Sequence, residues 1–276
     1  MIDSRLDKDL VSDPSIYTML IRAGRDAVDV VIYSPMVDNS LIYRSFTKNE
    51  TSGDVASRLE EVVYDNPLML ADFRRTVLLV TGPSYTLVPS ELIETDPQAG
   101  TLAYRFLYPD AEGSVETRAT PFHNASIVYG IDRRLAGFIG RTYPTATVIP
   151  HILPLMKYFV ARSGRSNSPR MLVNLRSGDA DMLVVAGTNL RQAVTISFRN
   201  TADLVYHILS SARAAGLDPL TDSILLSGDR DLREQLNQML RAYHARVMPV
   251  IFPPEMFKAG REAMSAPFDL IVAPLV

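Results

Sequence analysis

The sequence predicts an α/β protein made of two similar halves, each with the order βββ–α–β–α–β, packed as two lobes around a cleft. Three observations support this fold class. Each half opens with three short apolar runs. The runs of the second half follow those of the first at a constant spacing. After each set of runs, helical patterns alternate with buried strands. Such an alternation predicts a mixed sheet that is covered by helices.

The three opening runs of each half are separated by short polar turns. The runs are 19–23, 28–33 and 41–46 in the first half, and 171–175, 182–186 and 193–198 in the second. This pattern is typical of an antiparallel meander. A spacing of 152 positions separates Met19 from Met171, Asp29 from Asp181 and the ends of the last runs, so we expect the copies to align without a gap.

The elements that follow each meander are predicted from apolar periodicity. In the first half we expect helices at 55–63, 131–139 and 150–161, and strands at 76–81 and 146–149. The irregular stretch 85–129 predicts a small insertion with strands at 102–108 and 127–129 and weak alternation at 115–120. In the second half we expect helices at 201–215, 232–243 and 253–266, and strands at 223–227, 247–252 and 268–274.

A polar stretch at 163–169, rich in Gly, Ser and Asn and closed by a proline, marks the expected boundary between the lobes. We therefore expect a first lobe at 1–165, with an insertion subdomain at about 82–130, and a second lobe at 166–276. Ligands of such sheets bind at strand ends where the connectivity reverses. The cleft between the lobes is the expected site.

Composition excludes several classes of function. The chain has 276 residues, a net charge of −3 and a pI of about 5.8, so it lacks the basic footprint of a nucleic-acid-binding protein or a polybasic membrane anchor. It contains no cysteine, which excludes disulfides, thiolate metal sites and a cysteine nucleophile. No apolar run approaches the roughly 20 residues of a spanning helix. We expect a cytoplasmic protein that binds neither nucleic acid nor membrane.

The segments 21–24, 173–181 and 224–229 resemble motifs of the actin-like ATPase superfamily, which includes actin, heat-shock 70 chaperones, sugar kinases and bacterial actin homologues. Together with 80–89, they also resemble an uncharacterised bacterial family of unknown function with an actin-like ATPase fold. The resemblance covers the whole chain as an arrangement of elements. It implies a duplicated actin-like ATPase (ribonuclease H-like) fold with a nucleotide cleft, and relatives of this shape often form dimers or filaments.

The second hairpin departs from the superfamily motif, which reads roughly Val-Asp-Ile-Gly-Gly-Gly-Thr-Thr-Asp. Asn174 stands where the acid that positions metal and water is expected, and Arg176 stands where the first glycine is expected. In the first hairpin, Arg22 replaces the acid of the Asp-Ile-Gly signature, and Gly24 is kept. The adenosine-side Thr-Gly-Gly is matched by Ser227, Gly228 and Asp229, so one glycine survives at a strand-to-helix turn.

These substitutions predict a degenerate member of the superfamily. Mg²⁺ takes carboxylate oxygens and waters, and phosphoryl transfer depends on a positioned Mg²⁺. Asn174 carries no charge, and Arg22 repels a metal. Asp179 and Asp181 are the remaining acids that could restore metal binding, but Asp181 is interpreted as an acceptor of N–H groups in the turn. We predict no catalytic residue, no metal site and no resident cofactor, with nucleotide or phosphate binding left open.

An alternative hypothesis assigns a binding role to the arginines. Arg22, Arg25, Arg176 and Arg230 could converge on the cleft and bind a phosphorylated ligand without a metal, or they could pair with neighbouring acids or lie in solvent. The candidate cleft residues share the two hairpins and the strand-to-helix turn. They are Arg22, Gly24, Arg25, Asn174, Arg176, Ser177, Gly178, Ser227 and Gly228.

Other catalytic motifs are missing. The sequence has no phosphate-binding loop, dinucleotide fingerprint or serine-hydrolase elbow, and its histidines lack metal-ligand spacing. His151 is interpreted as the start of a helix. The leading hypothesis is a non-hydrolysing scaffold or regulator that binds an unidentified protein partner or itself, although no exposed apolar helix is predicted. The alternatives are an active ATPase or small-molecule kinase, and a metal-independent binder of a phosphorylated ligand.

Overall fold

The computed structural model describes residues 5–47, 53–82, 84–163 and 168–275. Its strands are β1 (Thr18–Ala23), β2 (Ala27–Tyr33), β3 (Ile42–Thr47), β4 (Arg75–Val80), β5 (Tyr85–Val88), β6 (Ser114–Ala119), β7 (Ser126–Ile131), β8 (Thr147–Pro150), β9 (Arg170–Leu175), β10 (Asp179–Ala186), β11 (Asn189–Ser197), β12 (Ser223–Gly228) and β13 (Val247–Pro249). Its α-helices are α1 (Val55–Asp65), α2 (Ser90–Thr95), α3 (Ala99–Leu107), α4 (Arg133–Thr142), α5 (Ile152–Ser163), α6 (Thr201–Ala214), α7 (Arg230–Leu240) and α8 (Phe268–Val272).

Two five-stranded sheets share one topology. The first has the order β3-β2-β1-β4-β8 and the second the order β11-β10-β9-β12-β13. In both, a hairpin of the first two strands is antiparallel, and the next two strands in space join it in parallel. The central strands β1 and β9 are buried along almost their whole length, which explains their unbroken apolar sequences. The predicted pair of equivalent sheets is confirmed.

Each lobe contributes a helix that covers the sheet of the other lobe. Helix α5, which leaves the first sheet, packs its Leu155, Met156 and Phe159 in one core with Leu172 and Leu183 of the second sheet. Helix α8 follows the second sheet and packs on the first. Its Leu270 and Ile271 share a core with Leu20, Val31, Val77 and Leu79. The helices also touch each other, with the rings of Tyr158 and Phe268 edge to face at 5.4 Å.

A small subdomain is inserted between β4 and β8. It consists of the three-stranded sheet β5-β7-β6 and the helices α2 and α3. Tyr104 of α3 packs against Val88 and Val128 in a separate core. Gly130 faces this helix, and a Cβ atom there would lie 2.1 Å from the Tyr104 hydroxyl oxygen, so only glycine lets the ring approach.

Three predicted elements are wrong. The segment 102–108, predicted as a strand, forms most of helix α3, and 268–274, predicted as a terminal strand, forms helix α8 and a 3₁₀ turn. The predicted helix at 253–266 is two 3₁₀ turns, Pro254–Ala259 and Arg261–Met264. Short apolar runs do not distinguish a helix from a strand, which explains the first two errors.

The alignment of the two halves without a gap is also wrong for the third strand. Ser45 pairs with Asp29, and Thr195 pairs with Asp181, so these counterparts lie 150 positions apart. The loop from Tyr33 to Ile42 is longer than the tight turn from Ala186 to Asn189, and a bulge leaves Arg191 of β11 unpaired between Val184 and Val185 of β10. The boundary expected at 163–169 includes 164–167, which lie outside the described residues.

Candidate functional site

The candidate site lies where the two hairpins face each other at the carboxyl ends of the parallel strands. The turn 24–26 joins β1 to β2, and the turn 176–178 joins β9 to β10. Each hairpin places one acid on its second strand, opposite a substituted position of the first strand. Asp29 pairs across the strands with Arg22, and Asp181 pairs with Asn174. The two acids are therefore structurally equivalent.

Arg22 lies between two carboxylates in the first hairpin. Its Nε and Nη2 donate to Asp29 Oδ2 at 3.1 and 2.7 Å, and its Nη1 donates to Asp269 Oδ1 and Oδ2 at 3.0 and 3.2 Å. Tyr43 donates its hydroxyl proton to Asp29 Oδ1 at 2.8 Å. Asp269 belongs to α8, so this ion pair connects the first sheet to the helix that covers it.

Asp181 is the centre of the second cluster and is completely buried. Arg176 binds it through both Nε, at 3.1 Å to Oδ2, and Nη2, at 2.9 Å to Oδ1. Asn174 donates to Oδ2 at 3.1 Å, and Thr195 donates to Oδ1 at 2.8 Å. His151 places Nε2 2.8 Å from Oδ1 and Nδ1 3.2 Å from the carbonyl oxygen of Val80.

Burial and ion pairing act against each other on these groups. Burial favours the neutral form of Asp181, but His151 and Arg176 outweigh it and hold the pKa of this carboxyl far below its usual range. Burial likewise acts to lower the pKa of Arg22, and the carboxylates of Asp269 and Asp29 outweigh it and raise that pKa. Asp181 and Arg22 therefore both remain charged at neutral pH.

The turn of the first hairpin is held from beneath by a buried arginine. Arg58 of α1 donates its Nη1 to the carbonyl oxygens of Gly24 and Arg25. Its side chain is buried, and its Nε has no hydrogen-bond partner among the described residues. The side chain of Arg25 is exposed on the rim of the cleft. Two carbonyl groups of this turn are therefore directed toward Arg58.

The remaining candidate residues occupy turns. Ser177 is exposed at the tip of the second hairpin, and Gly178 has a φ of +71°, which suits glycine at a tight turn. Ser227 donates its hydroxyl proton to Asn174 Oδ1 at 2.9 Å, so both ends of the Asn174 amide are bound. Gly228 has a φ of +91°, and a Cβ atom there would lie 2.0 Å from the carbonyl oxygen of Leu175.

Two neighbouring cavities form the cleft. One has a volume of about 310 Å³ and is lined by the first hairpin and by Arg22, Arg176 and Ser177. The other has a volume of about 430 Å³ and lies between the second hairpin, the start of α7 and the segment 264–268. Arg22, Asn174, Arg176, Ser177, Ser227, Gly228 and Arg230 line the second cavity, whereas Gly24 and Arg25 line the first. Gly178 lines neither cavity.

The buried acids of the two hairpins and of α8 do not fit the magnesium ion that an actin-like ATPase uses with its nucleotide. The oxygens of Asp29 and Asp269 face the Arg22 guanidinium, and those of Asp181 face Arg176, Asn174, Thr195 and His151. Mg²⁺ requires free carboxylate oxygens with room for several waters. In the described part of the chain, no cluster of three or more His, Asp or Glu residues is arranged to hold a metal.

Sequence reasoning missed or misassigned several of these residues. Asp181 was expected to accept N–H groups of the turn, but it accepts from side chains inside the core. His151 was assigned to a helix start, yet its ring contacts Asp181, and α5 begins one residue later. Arg58 and Asp269 were not singled out. No local pattern marks them, because their partners lie far away in the sequence.

Residues 9–247 match the model of a family described as "Protein of unknown function (DUF3822)". The chain belongs to that family. No protein of curated function matches this DUF3822 member.

Solved structures show the fold of this DUF3822 protein. A Bacteroides thetaiotaomicron VPI-5482 protein with an actin-like ATPase fold and unknown function is 21% identical, has a TM-score of 0.76 and covers 99% of both chains. A chain of the PilM–PilN type IV pilus biogenesis complex is 12% identical, has a TM-score of 0.60 and covers 94% of both chains. At these identities the likeness establishes the actin-like ATPase fold and nothing about activity.

In the described ranges of this DUF3822 protein, every helix is too short or too polar to cross a bilayer.

Proposed function

We propose that this protein is a non-hydrolysing, cytoplasmic actin-like protein that acts as a scaffold or regulator through protein contacts. The observation that carries the proposal is the ion pair of Arg22 with both Asp29 and Asp269. The guanidinium occupies the place where the resemblance to actin-like ATPases calls for an acid beside Mg²⁺. Phosphoryl transfer without a positioned metal loses its main source of charge stabilisation.

The charges of the cleft support the same conclusion. Two arginines, Arg22 and Arg176, face three carboxylates, those of Asp29, Asp181 and Asp269. The two most deeply placed cations of the cleft are therefore already paired inside the protein, whereas Arg25, Arg230 and Arg233 line its more exposed parts. A nucleotide that uses Arg22 or Arg176 would have to break one of their ion pairs, and leaving a buried charge unpaired costs about 3–5 kcal/mol.

Surface exposure supports a role in protein contacts. On α3, Phe106 is 86% exposed and Leu102 is 62% exposed, one helical turn apart, with Leu107 beside them. Exposed apolar side chains that are grouped in this way are typical of interaction sites. The PilM chain, which has the same fold, is itself part of an assembly with PilN. The partner of the present protein is a second protein or a second copy of itself.

Isothermal titration with Mg·ATP, combined with a phosphate-release assay, tests the loss of hydrolysis. We expect neither binding up to roughly 1 mM nucleotide, the upper end of ordinary KM values, nor release of phosphate. A known actin-like ATPase, titrated in the same buffer, controls for the quality of the nucleotide. Micromolar binding with turnover would contradict the proposal and favour an active ATPase or kinase.

A further inference from the structure

A second cavity site lies at the end of the first sheet that is farthest from the cleft. The cavity has a volume of about 550 Å³ and is lined by the first residues of the parallel strands β4 and β8, Arg75 and Thr147 among them. The cleft residues Thr81 and Gly82 follow the opposite, carboxyl end of β4. None of the residues that line this cavity also lines either cavity of the cleft.

Three cations surround this cavity, and no acid lines it. Arg75 comes from β4, Arg118 from β6 and Lys157 from α5. Among the described residues, Arg75 and Lys157 form no ion pair, and Arg118 has only a distant one, 3.9 Å from Glu116. The whole chain carries a net charge of −3, so this local excess of positive charge opposes the overall balance.

The floor of the cavity is apolar. Val77 and Leu153 are buried beneath it, and Ile149 and Ala273 are partly buried at its sides. Small-molecule sites combine such apolar walls with a few converging polar groups, in volumes of about 300–1,000 Å³. This cavity falls within that range and has room for more than a bare inorganic ion.

The adjoining strand edge does not explain the cavity as a peptide site. Strand β8 is an edge strand, but the carbonyl oxygen of Val148 already accepts from the Tyr129 hydroxyl at 2.9 Å. Pro150 has no N–H group to donate. An added strand would therefore find few free backbone groups there.

We propose that this cavity binds a small organic anion that carries at least two negative charges on an apolar body. Arginine forks bind phosphate or carboxylate through paired hydrogen bonds, and lysine adds a point charge. A phosphomonoester carries about −1.5 to −2 charges at neutral pH, which the three cations balance. The apolar body of the ligand rests on Val77 and Leu153.

Calorimetric titration with phenyl phosphate tests the site, and phthalate serves as the dicarboxylate arm. We expect saturable binding of at least one of the two probes that weakens as NaCl rises from roughly 0.05 to 0.5 M. The arm that binds more tightly shows whether phosphate or carboxylate is preferred. Benzyl alcohol, which has the ring without the charge, is expected not to bind.

The variant Arg75→Gln/Arg118→Gln/Lys157→Gln is expected to weaken binding at least about tenfold, because charge-assisted hydrogen bonds are lost. Arg74→Gln is the matched control, since Arg74 is an exposed neighbour that does not line the cavity. Arg230→Gln/Arg233→Gln removes two cations from the cleft instead. Equal affinity in the triple variant, loss of binding only in the cleft variant, or no binding of either probe to the wild type would overturn the proposal.

This test is independent of the one for hydrolysis, because the two sites share no residue. The Mg·ATP titration should be repeated on the triple cavity variant, since the phosphates of ATP could enter the cavity. Heat that persists in this variant comes from the cleft and counts against the proposed function. Heat that is absent from the triple variant supports the anion site and shows that the cleft does not bind Mg·ATP.

Discussion

Asp29 and Asp181 occupy equivalent positions, but each is neutralised in a different way. In the second hairpin the cross-strand partner is Asn174, and the charge comes from Arg176 at the turn. In the first hairpin the cross-strand partner, Arg22, brings the charge itself. Its Nη1 group is not used by Asp29 and donates to a second acid, Asp269. The acid of the superfamily motif is therefore absent from both hairpins, and each hairpin has a different network of hydrogen bonds and ion pairs in its place.

Asp181→Asn should destabilise the protein by about 3 kcal/mol, because it leaves Arg176 buried beside a neutral amide. Unfolding in urea, followed by circular dichroism, gives the free energy of unfolding. Asp72→Asn is the control, since Asp72 is exposed and should change that energy by less than about 0.5 kcal/mol. Similar effects of the two substitutions would show that Asp181 is not the centre of a buried ion-pair network.

The pKa of Asp181 predicts how stability depends on pH. The pKa of this carboxyl is depressed in the folded state, so its stabilising contribution is complete above the unfolded value of about 3.9 and is lost as the pH falls toward the folded value. The stability difference between wild type and Asp181→Asn should therefore shrink below about pH 4, by up to about 1.4 kcal/mol per pH unit. Thermal unfolding from neutral to acidic pH measures it. A constant difference down to pH 3 would contradict this assignment.

The sequence predicted part of the site at the residue scale. The spacing of the two halves aligned Asp29 with Asp181, and the comparison with the superfamily motif exposed Arg22 and Asn174 as departures. It could not identify His151 or Asp269 as partners. His151 is 30 residues from Asp181, and Asp269 is 247 residues from Arg22, so only the packing of the lobes brings them together.

At the scale of single elements, local signals predicted ends and turns better than the type of short segments. The strand-to-helix turn at Gly228 was recognised from one surviving glycine, and its positive φ confirms that glycine is required. In contrast, 102–108 is apolar and aromatic and was assigned to a strand, although it lies in α3. Leu102 and Phe106 lie on an exposed face of this helix. Because the segment was assigned to a strand, no exposed apolar helix was predicted.

Two glycine substitutions should have opposite effects. Gly228→Ala should destabilise the protein by at least about 2 kcal/mol, because its φ is +91° and the new Cβ would meet the backbone of Leu175 at 2.0 Å. Gly140→Ala in α4 should stabilise it by about 0.5–1 kcal/mol, since no atom beyond the adjoining backbone of α4 lies within 4 Å of the added Cβ. The melting temperatures of both variants provide the measurement. A neutral Gly228→Ala would show that the turn has another conformation.

At the scale of the whole molecule, the repeated strand order was predictable, and the exchange of helices was not. Apolar runs of β1 and β9 reveal that both faces of each sheet are covered, but not which helix covers which face. Leu155 of α5 and Leu270 of α8 are ordinary core residues in the sequence. Their assignment to the opposite lobe follows from the way the chain crosses between the sheets.

Asp269→Asn should loosen the contact between the lobes without unfolding either sheet. It removes one of the two carboxylates of Arg22, so amide exchange in α8 should become about tenfold faster, while exchange in β9 and β10 stays unchanged. Hydrogen exchange read by mass spectrometry measures both regions. Glu255→Gln is the matched control, because the ion pair of Glu255 with Arg162 is exposed and contributes little. Equal exchange in both variants would contradict a linking role for Asp269.

The crossed arrangement of α5 and α8 also determines when the first lobe can fold during synthesis. The ribosome completes β1 to β4 long before it makes α8, so one face of the first sheet emerges with Leu20, Val31 and Val77 open to water. A newly made first half therefore cannot reach its native state alone, and it remains prone to aggregation until translation of the second half supplies the missing cover. Ribosome-bound chains that end before α8 should accordingly need a chaperone to stay in solution.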